Sequence, residues 1–396
     1  DSLLKKENDY KGSIASYKSK LIEETNSEKP DSQKINIYSS KIFKLDEEYH
    51  QLISSFEKAY PQYYALKYES NVAQISQVQS KLGARQAFIE YYLKEPEDKL
   101  SNGEIYTFTI TSDSVSLTRE SIDQSFLNKI QTFHDFLINP GYLDTKKKDY
   151  LDYSFAAYSL YEKLIQPIAN KLSGKSLTIV PHDKLAYIPF DALLTEMPDT
   201  TTMNFRNLKY LIRDYAINYG YSATLLFDFS NQKKRATKKL LIFSPEYNSS
   251  EPRKDHETGI SYSLNPLPGA KDEIKAISNF ISSVAYSDEE AQEGIFKTKA
   301  GDFDVLHLAM HTIINDSLPM LSKLVFSKPK GKTNEDGCLN AFEVYNMKLN
   351  ARLAVLSACE TGSGKLQGGE GVMSMARGFI YAGCPSVVMT LWQVED

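Results

Sequence analysis

Cysteine is scarce in this chain: Cys338, Cys359 and Cys384 are the three thiols in 396 residues. Thiols so few and so scattered exclude a disulfide framework, and a reducing cytoplasm is the natural setting for a chain that leaves them free. No apolar stretch approaches the length of a membrane span, and the opening DSLLKKENDY lacks the shape of a signal peptide, so no membrane partner is expected. No Lys/Arg run dominates a face and the formal net charge is −5, so neither nucleic acid nor an anionic lipid surface is implied as a direct partner. An initiator Met is absent as well, and the expectation is an excised piece of a longer chain.

What is present suffices for a full core and for two structural units. In the first sixty residues Leu3, Tyr10, Ile14, Tyr17 and Leu21 recur at heptad positions, with Glu7 breaking the series. Ile35, Tyr38, Ile42, Leu45, Tyr49, Leu52 and Phe56 follow an unbroken alternation of three and four. Between the two series lies NSEKPDS, with Pro30 as breaker and Asp31 or Ser32 as N-cap. The pattern predicts an antiparallel helical hairpin, read either as a structural arm or as the end of a helical-repeat array that binds a regulator. One hairpin is too short to display a repeat period.

Ser76 to Leu93 reads as a further helix, followed by two strands around the Ser/Asp turn of IYTFTITSDSVSLTRE and by helical segments from Ile122 to Leu172. After Gly174 the character changes. Leu177 to Val180, Leu240 to Phe243, Val305 to Leu308, Leu324 to Phe326, Leu353 to Leu356 and Val387 to Leu391 are short apolar runs, separated by helical stretches such as Ala270 to Ile281 and Val372 to Tyr381. That alternation predicts an α/β fold with a mostly parallel sheet. The polar stretches near residues 235 and 255 read as exposed loops, the second long enough for a lid or a processing site.

The chain is organised around RLAVLSACETGSGKLQGGEG, residues 352–371. Leu353 to Leu356 carry no polar alternation, as in a strand buried on both faces. Cys359 stands just past the end of that run and is followed by Gly362, Gly364, Gly368, Gly369 and Gly371. In open α/β sheets chemistry gathers beyond the carboxyl ends of the strands, and glycines let the backbone approach a ligand. A second run, VLHLAMHT, holds His307 inside and His311 just beyond its end. Two neighbouring strands that each deliver one member of a Cys/His pair would generate a thiolate near neutral pH.

Several blocks carry a family resemblance: DVLHLAMH, LAVLSACETGSG, GGEGVMSMARGFIYAG and PSVVMTLWQVED, and upstream SLTIVPHDKLAYIPFDALL, YAINYGYSATLL and LPGAKDEIKAIS. The chain from about Ala84 to Asp396 resembles the CHAT domain, a caspase-like cysteine-peptidase family of clan CD often fused to helical TPR repeats. The resemblance implies a caspase-like sheet flanked by helices, His311 as catalytic histidine and Cys359 as nucleophile. In caspase-like enzymes one oxyanion donor is the N–H of the nucleophile, here Cys359, and another is that of the residue after the histidine, usually glycine and here Thr312. The expected organisation is an arm over residues 1–75 and a peptidase domain over 76–396, with an N-terminal pseudo-subdomain at 84–175 and a catalytic part at 176–396. Chain beyond LWQVED is normal in the family, so part of the substrate pocket is expected to be missing.

Alternatives attach to the same residues. Cys359 is otherwise a buried structural thiol; a catalytically silent scaffold that binds a peptide or protein is the rival function. A His/His/Cys metal site stays open, although a zinc helix of the HExxH kind needs glutamate after His307, where Leu308 stands. ETGSGKLQG is no phosphate loop, because Cys359 and Leu366 replace its required Gly and Ser/Thr. Cys384 reads as packed, and Cys338 carries no partner signal. His50, His134, His182 and His256 form no constellation. Glu360, Glu370 and Asp396 are the candidate pocket residues and favour a basic or non-acidic P1. No cofactor is expected; the expected partners are a protein substrate and a regulator acting through the helical region.

Overall fold

The computed structural model describes residues 31–59, 72–96, 101–138, 146–228, 238–250, 252–254, 261–315, 319–329, 335–358, 364–367 and 371–392, with single positions between 6 and 24. The chain divides into two compact units, residues 1–71 and 72–396.

In the first unit the described positions between Lys6 and Glu24 are helical, and helix α1 spans Ser32–Ala59. Asp31 starts α1: its Oδ1 accepts the N–H of Gln33 at 2.8 Å and of Lys34 at 3.3 Å, satisfying two donors that have no partner within a helix. The Tyr17 and Tyr38 rings lie 6.1 Å apart, Lys34 Nζ lies 3.4 Å from Glu24, and Ile14 and Leu52 are buried. The predicted helical hairpin is therefore present.

The second unit begins with helix α2 (Ile75–Lys81). The helix predicted over Ser76 to Leu93 ends there, and strand β1 occupies Gln86–Lys94. Leu82, Ile89 and Leu93 fall at helical spacing by coincidence; Phe88, Ile89, Tyr91 and Tyr92 are β-branched or aromatic and pack better on a pleated surface. Next come β2 (Gly103–Thr111) and β3 (Val115–Ile122), α3 (Gln124–Ile138) and α4 (Lys147–Leu164), β4 (Ser176–Val180) and β5 (Ile217–Tyr219), and α5 (Ala223–Asp228). They build a five-stranded sheet in the order β3-β2-β1-β4-β5, antiparallel from β3 to β1 and parallel from β1 to β5. The change of character at Gly174 is thus no change of sheet: β4 pairs with β1 in the register Glu90↔Val180. Helices α3 and α4 cover one face with an aromatic core that includes Tyr91, Phe133, Tyr153 and Phe190.

A second sheet follows: β6 (Lys238–Ser244), the ribbon β7 (Arg253–Lys254) and β8 (Ser261–Tyr262), α6 (Pro268–Phe280), β9 (Ser283–Ser287), α7 (Glu293–Lys299) and β10 (Phe303–Ala309). Then come the short strands β11 (Thr312–Ile313), β12 (Lys323–Val325) and β13 (Cys338–Asn340), α8 (Ala341–Asn346), β14 (Leu353–Ser357), β15 (Gly364–Gln367) and β16 (Gly371–Ser374), α9 (Met375–Tyr381) and β17 (Val387–Val388). Five of these strands form the order β17-β14-β10-β6-β9, parallel throughout. The ends of the inner strands β6 and β10 are buried on both faces, whereas β14 alternates buried and half-buried positions; each buried Leu or Phe contributes about 1.5–3 kcal/mol, and Leu241, Phe243, Leu306, Leu308 and Leu356 are at most 1 % exposed.

Three predicted elements end differently. Leu324 to Phe326 contributes to a separate antiparallel sheet, β11-β12-β13, rather than to the parallel one. The helix predicted from Val372 starts at Met375, because the Ser374 hydroxyl accepts the Arg377 N–H and caps it there, while β16 pairs with β15. Only Val387 and Val388 of the last predicted run pair in the sheet. Gly383, which follows α9, has φ +105° and lies so close to the Leu349 carbonyl that a Cβ would sit 2.7 Å from that oxygen. Among the described residues no helix is long and apolar enough to cross a membrane.

Candidate active site

In chain order the second sheet starts at β6, adds β9 on one side and then β10 on the other. The strand order reverses between β6 and β10, and in open α/β sheets ligands bind beyond the carboxyl ends of the strands at such a reversal. His311 stands two residues past the end of β10, and Tyr247 lies just past β6.

Four contacts fix His311. Its Nε2 is 2.7 Å from the carbonyl oxygen of Asn265; a carbonyl only accepts, so that nitrogen carries the proton and Nδ1 of the neutral ring is the acceptor. The His311 N–H donates to the Tyr247 hydroxyl at 3.1 Å, and that hydroxyl donates to the Val325 carbonyl at 2.6 Å. The Tyr247 and His311 rings meet edge to face with centroids 4.7 Å apart. The His311 carbonyl accepts the Val325 N–H at 3.0 Å. This last bond makes Thr312 and Leu324, which face each other across β11 and β12, a non-hydrogen-bonded pair, so the Thr312 N–H points away from β12. Thr312 is half-buried, and its Oγ1 has no partner among the described residues.

Strand β14 lies beside β10 in the register Ala309↔Ser357, and the Met310 N–H donates to the Ser357 carbonyl at 3.2 Å. Ala358 is buried, and its carbonyl accepts the Thr390 hydroxyl at 2.6 Å. Cys359 and His311 therefore stand at equal distances in sequence from a registered pair, each two residues beyond it. Cys359 itself lies outside the described residues, as do Glu360, Glu370 and Asp396. The structure thus places His311 and Thr312 together at one sheet edge beside the end of β14.

His307, inside β10, has a different partner. It is 5 % exposed, with Nε2 3.1 Å from Glu273 Oε1 of α6 but not in hydrogen-bonding alignment with it. The Ser357 hydroxyl donates to the second Glu273 oxygen at 3.0 Å. His307, and then Ser357, hold the Glu273 carboxyl below its ordinary range against the opposing effect of burial. His307 and His311 thus make separate contacts, and no metal-ligand group among the described residues contains either.

The one group of that kind among the described residues is Glu293, Glu335 and Glu343. The Lys297 ammonium sits among these three carboxylates, at 2.5, 2.5 and 2.6 Å, and Glu293 also accepts the Gly337 N–H at 2.9 Å. It ties α7, α8 and the turn before β13 together by charge. Cys384 is fully buried. Burial pushes the Cys338 thiol up to about 11, with the Tyr262 hydroxyl 3.3 Å away, so Cys338 lacks the character of a thiolate.

Sequence reasoning missed Tyr247, Asn265 and Glu273. Asn265 precedes Pro266 and the Pro268 that opens α6, a turn signal without chemical content. Tyr247 follows a buried strand at the reversal point of the sheet, which no local pattern marks.

An open parallel sheet in this order, with a histidine two residues beyond its third strand and, in the sequence, a cysteine two residues beyond its fourth, fits a caspase-like α/β domain. The family model described as CHAT domain matches residues 156–396, and the chain belongs to the CHAT domain family, a caspase-like family of clan CD. The match takes in β4, β5 and the whole second sheet; β1 to β3 precede it. No curated protein matches the chain.

Proposed function

We propose that the chain is a cysteine endopeptidase acting through a dyad of Cys359 and His311. Nδ1 of His311 takes the Cys359 proton, and the thiolate attacks a peptide carbonyl carbon to give a tetrahedral oxyanion. The N–H groups of Cys359 and Thr312 stabilise that oxyanion, each donor contributing about 3–4 kcal/mol in comparable sites. Collapse breaks the C–N bond, and the imidazolium protonates the leaving amine. Water then attacks the thioester with His311 as base, releasing the acid product and restoring the thiol.

The observation that carries this reading is the Asn265 carbonyl on His311 Nε2, which leaves Nδ1 as the ring's proton acceptor beside the end of β14. The direction of the Thr312 N–H, away from β12, supports its role as a donor. Its β-branched side chain restricts the backbone there, and a regulator acting on the helical arm or on this loop is part of the proposal. So are a cytoplasmic setting, a protein substrate and a basic or non-acidic P1 residue met by Glu360, Glu370 or Asp396.

A peptide-based thiol-reactive probe tests the dyad. Wild type should be labelled, Cys359→Ala should not be, and His311→Ala should be labelled at least tenfold more slowly at neutral pH. Equal labelling of wild type and Cys359→Ala removes that residue from the reaction, and equal rates with and without His311 leave a reactive thiol with no dyad.

A further inference from the structure

Tyr247 makes more contacts around His311 than a core tyrosine needs. Its hydroxyl is satisfied as a donor by the Val325 carbonyl at 2.6 Å, yet it also accepts the N–H of His311 while its ring lies edge to face against the imidazole. Strand β6 has ended at Ser244, so no backbone carbonyl of that strand reaches the His311 N–H, and the phenol replaces it. The Arg253 guanidinium lies 5.6 Å from the Tyr247 ring centroid, and Arg253 Nη1 donates to the Phe326 carbonyl at 2.6 Å. Ring and guanidinium are thereby tied to two consecutive carbonyls of the β12 segment, which also binds the His311 backbone. Burial holds the Tyr247 phenol well above its ordinary range, so it stays a protonated donor at any working pH.

We infer that Tyr247, clamped by Arg253, is a positioning residue for His311: it holds the backbone and ring plane of the histidine so that Nε2–H meets Asn265 and Nδ1 is left to accept a proton. The kinetic half of this inference rests on the peptidase reading; the structural half does not. Losing the hydroxyl removes the group that joins the His311 N–H to the Val325 carbonyl; the ring is then free to tilt off the Asn265 carbonyl, and its proton is shared between Nε2 and Nδ1.

The test uses the full chain labelled with ¹⁵N-histidine, with His311→Gln to assign the ring signals. Wild type should show a protonated Nε2 and an unprotonated Nδ1 at His311. In Tyr247→Phe, which keeps the ring, those signals should move toward the average of the two tautomers, and kcat should fall about 10- to 100-fold with KM within about twofold, the scale of a misplaced reacting group. Arg253→Met should move the same signals less. A purely structural tyrosine would lower the melting temperature and leave the tautomer alone. Unchanged His311 signals in both variants overturn the inference, and if Tyr247→Phe fails to fold, Arg253→Met alone decides it. A wild type without turnover whose His311 tautomer still depends on Tyr247 removes the peptidase reading and keeps this one.

Discussion

Each of the two five-stranded sheets carries a histidine two residues beyond the end of a parallel strand: His182 after β4 and His311 after β10. Both rings rest on a tyrosine at 4.7 Å, Tyr92 in one case and Tyr247 in the other. They differ in which side chain extends the ladder of hydrogen bonds once a neighbouring strand stops. In the first sheet β1 runs on past its last pairing with β4 at Glu90, and Nδ1 of His182 itself accepts the Leu93 N–H at 3.2 Å. In the second sheet the Tyr247 hydroxyl takes the equivalent N–H, that of His311, and Nδ1 of the imidazole has no part in the ladder. A strand-end histidine is therefore no indicator of a site by itself; what matters is whether something else does its structural work.

The largest expected effect sharpens this contrast. His311→Ala should lower turnover about 10²- to 10⁴-fold, the usual contribution of a general base, while denaturation curves shift little because the side chain is partly exposed. Next comes the periphery of the second sheet. Lys297→Met leaves the Glu293 carboxylate, whose side chain is 2 % exposed, without its cation and should cost about 3–5 kcal/mol of stability by urea denaturation. A loss below about 1 kcal/mol would make that cluster a solvated ion pair.

His182→Ala inverts the first result. The Leu93 N–H loses its acceptor, which should cost about 1–3 kcal/mol with turnover within about twofold. Loss of turnover at unchanged stability would break the comparison, since it would put chemistry in the first sheet. Smallest is Ser374→Ala, which removes the cap of α9 and should cost about 1 kcal/mol.

A pH series adds a direction. Burial pushes the Glu293 carboxyl up to about 7 although Lys297 opposes the shift. Its folded value lies above the unfolded one, so the native state holds the extra proton between the ordinary glutamate range and about 7, and stability falls as pH rises through that window. Glu335 has the opposite sign: burial raises it, but Lys297 overrides burial and holds it low, so its contribution is present above the ordinary glutamate range and disappears on acidification. In Lys297→Met the fall toward pH 7 should steepen, as read from denaturation midpoints between pH 5 and 7.5.

Much of the second sheet was legible because strands inside a parallel sheet covered by helices are apolar at nearly every position. The runs at 240–243, 305–308 and 353–356 have no other comfortable environment. β1 was not legible, since its half-covered face leaves Glu90 and Tyr92 partly or fully exposed and its apolar residues fit a helical period as well. His311 could be named from its place after such a run, and Thr312 from the family resemblance. Glu360, Glu370 and Asp396 were chosen by charge and sequence position alone, and they lie outside the described residues.

The order of residues alone determined that this chain folds as α/β, that it belongs with caspase-like CHAT domains, and that a histidine and a cysteine follow two of its buried runs. Which of two strand-end histidines keeps a nitrogen for a proton was decided only in three dimensions. Tyr247 and Asn265 lie 64 and 46 residues from His311 in sequence, and only the reversal of strand order between β6 and β10 brings them against its backbone and ring. Local propensity acts over a few neighbouring residues, whereas a hydrogen bond that selects a tautomer is set by whichever carbonyl the packed sheet delivers.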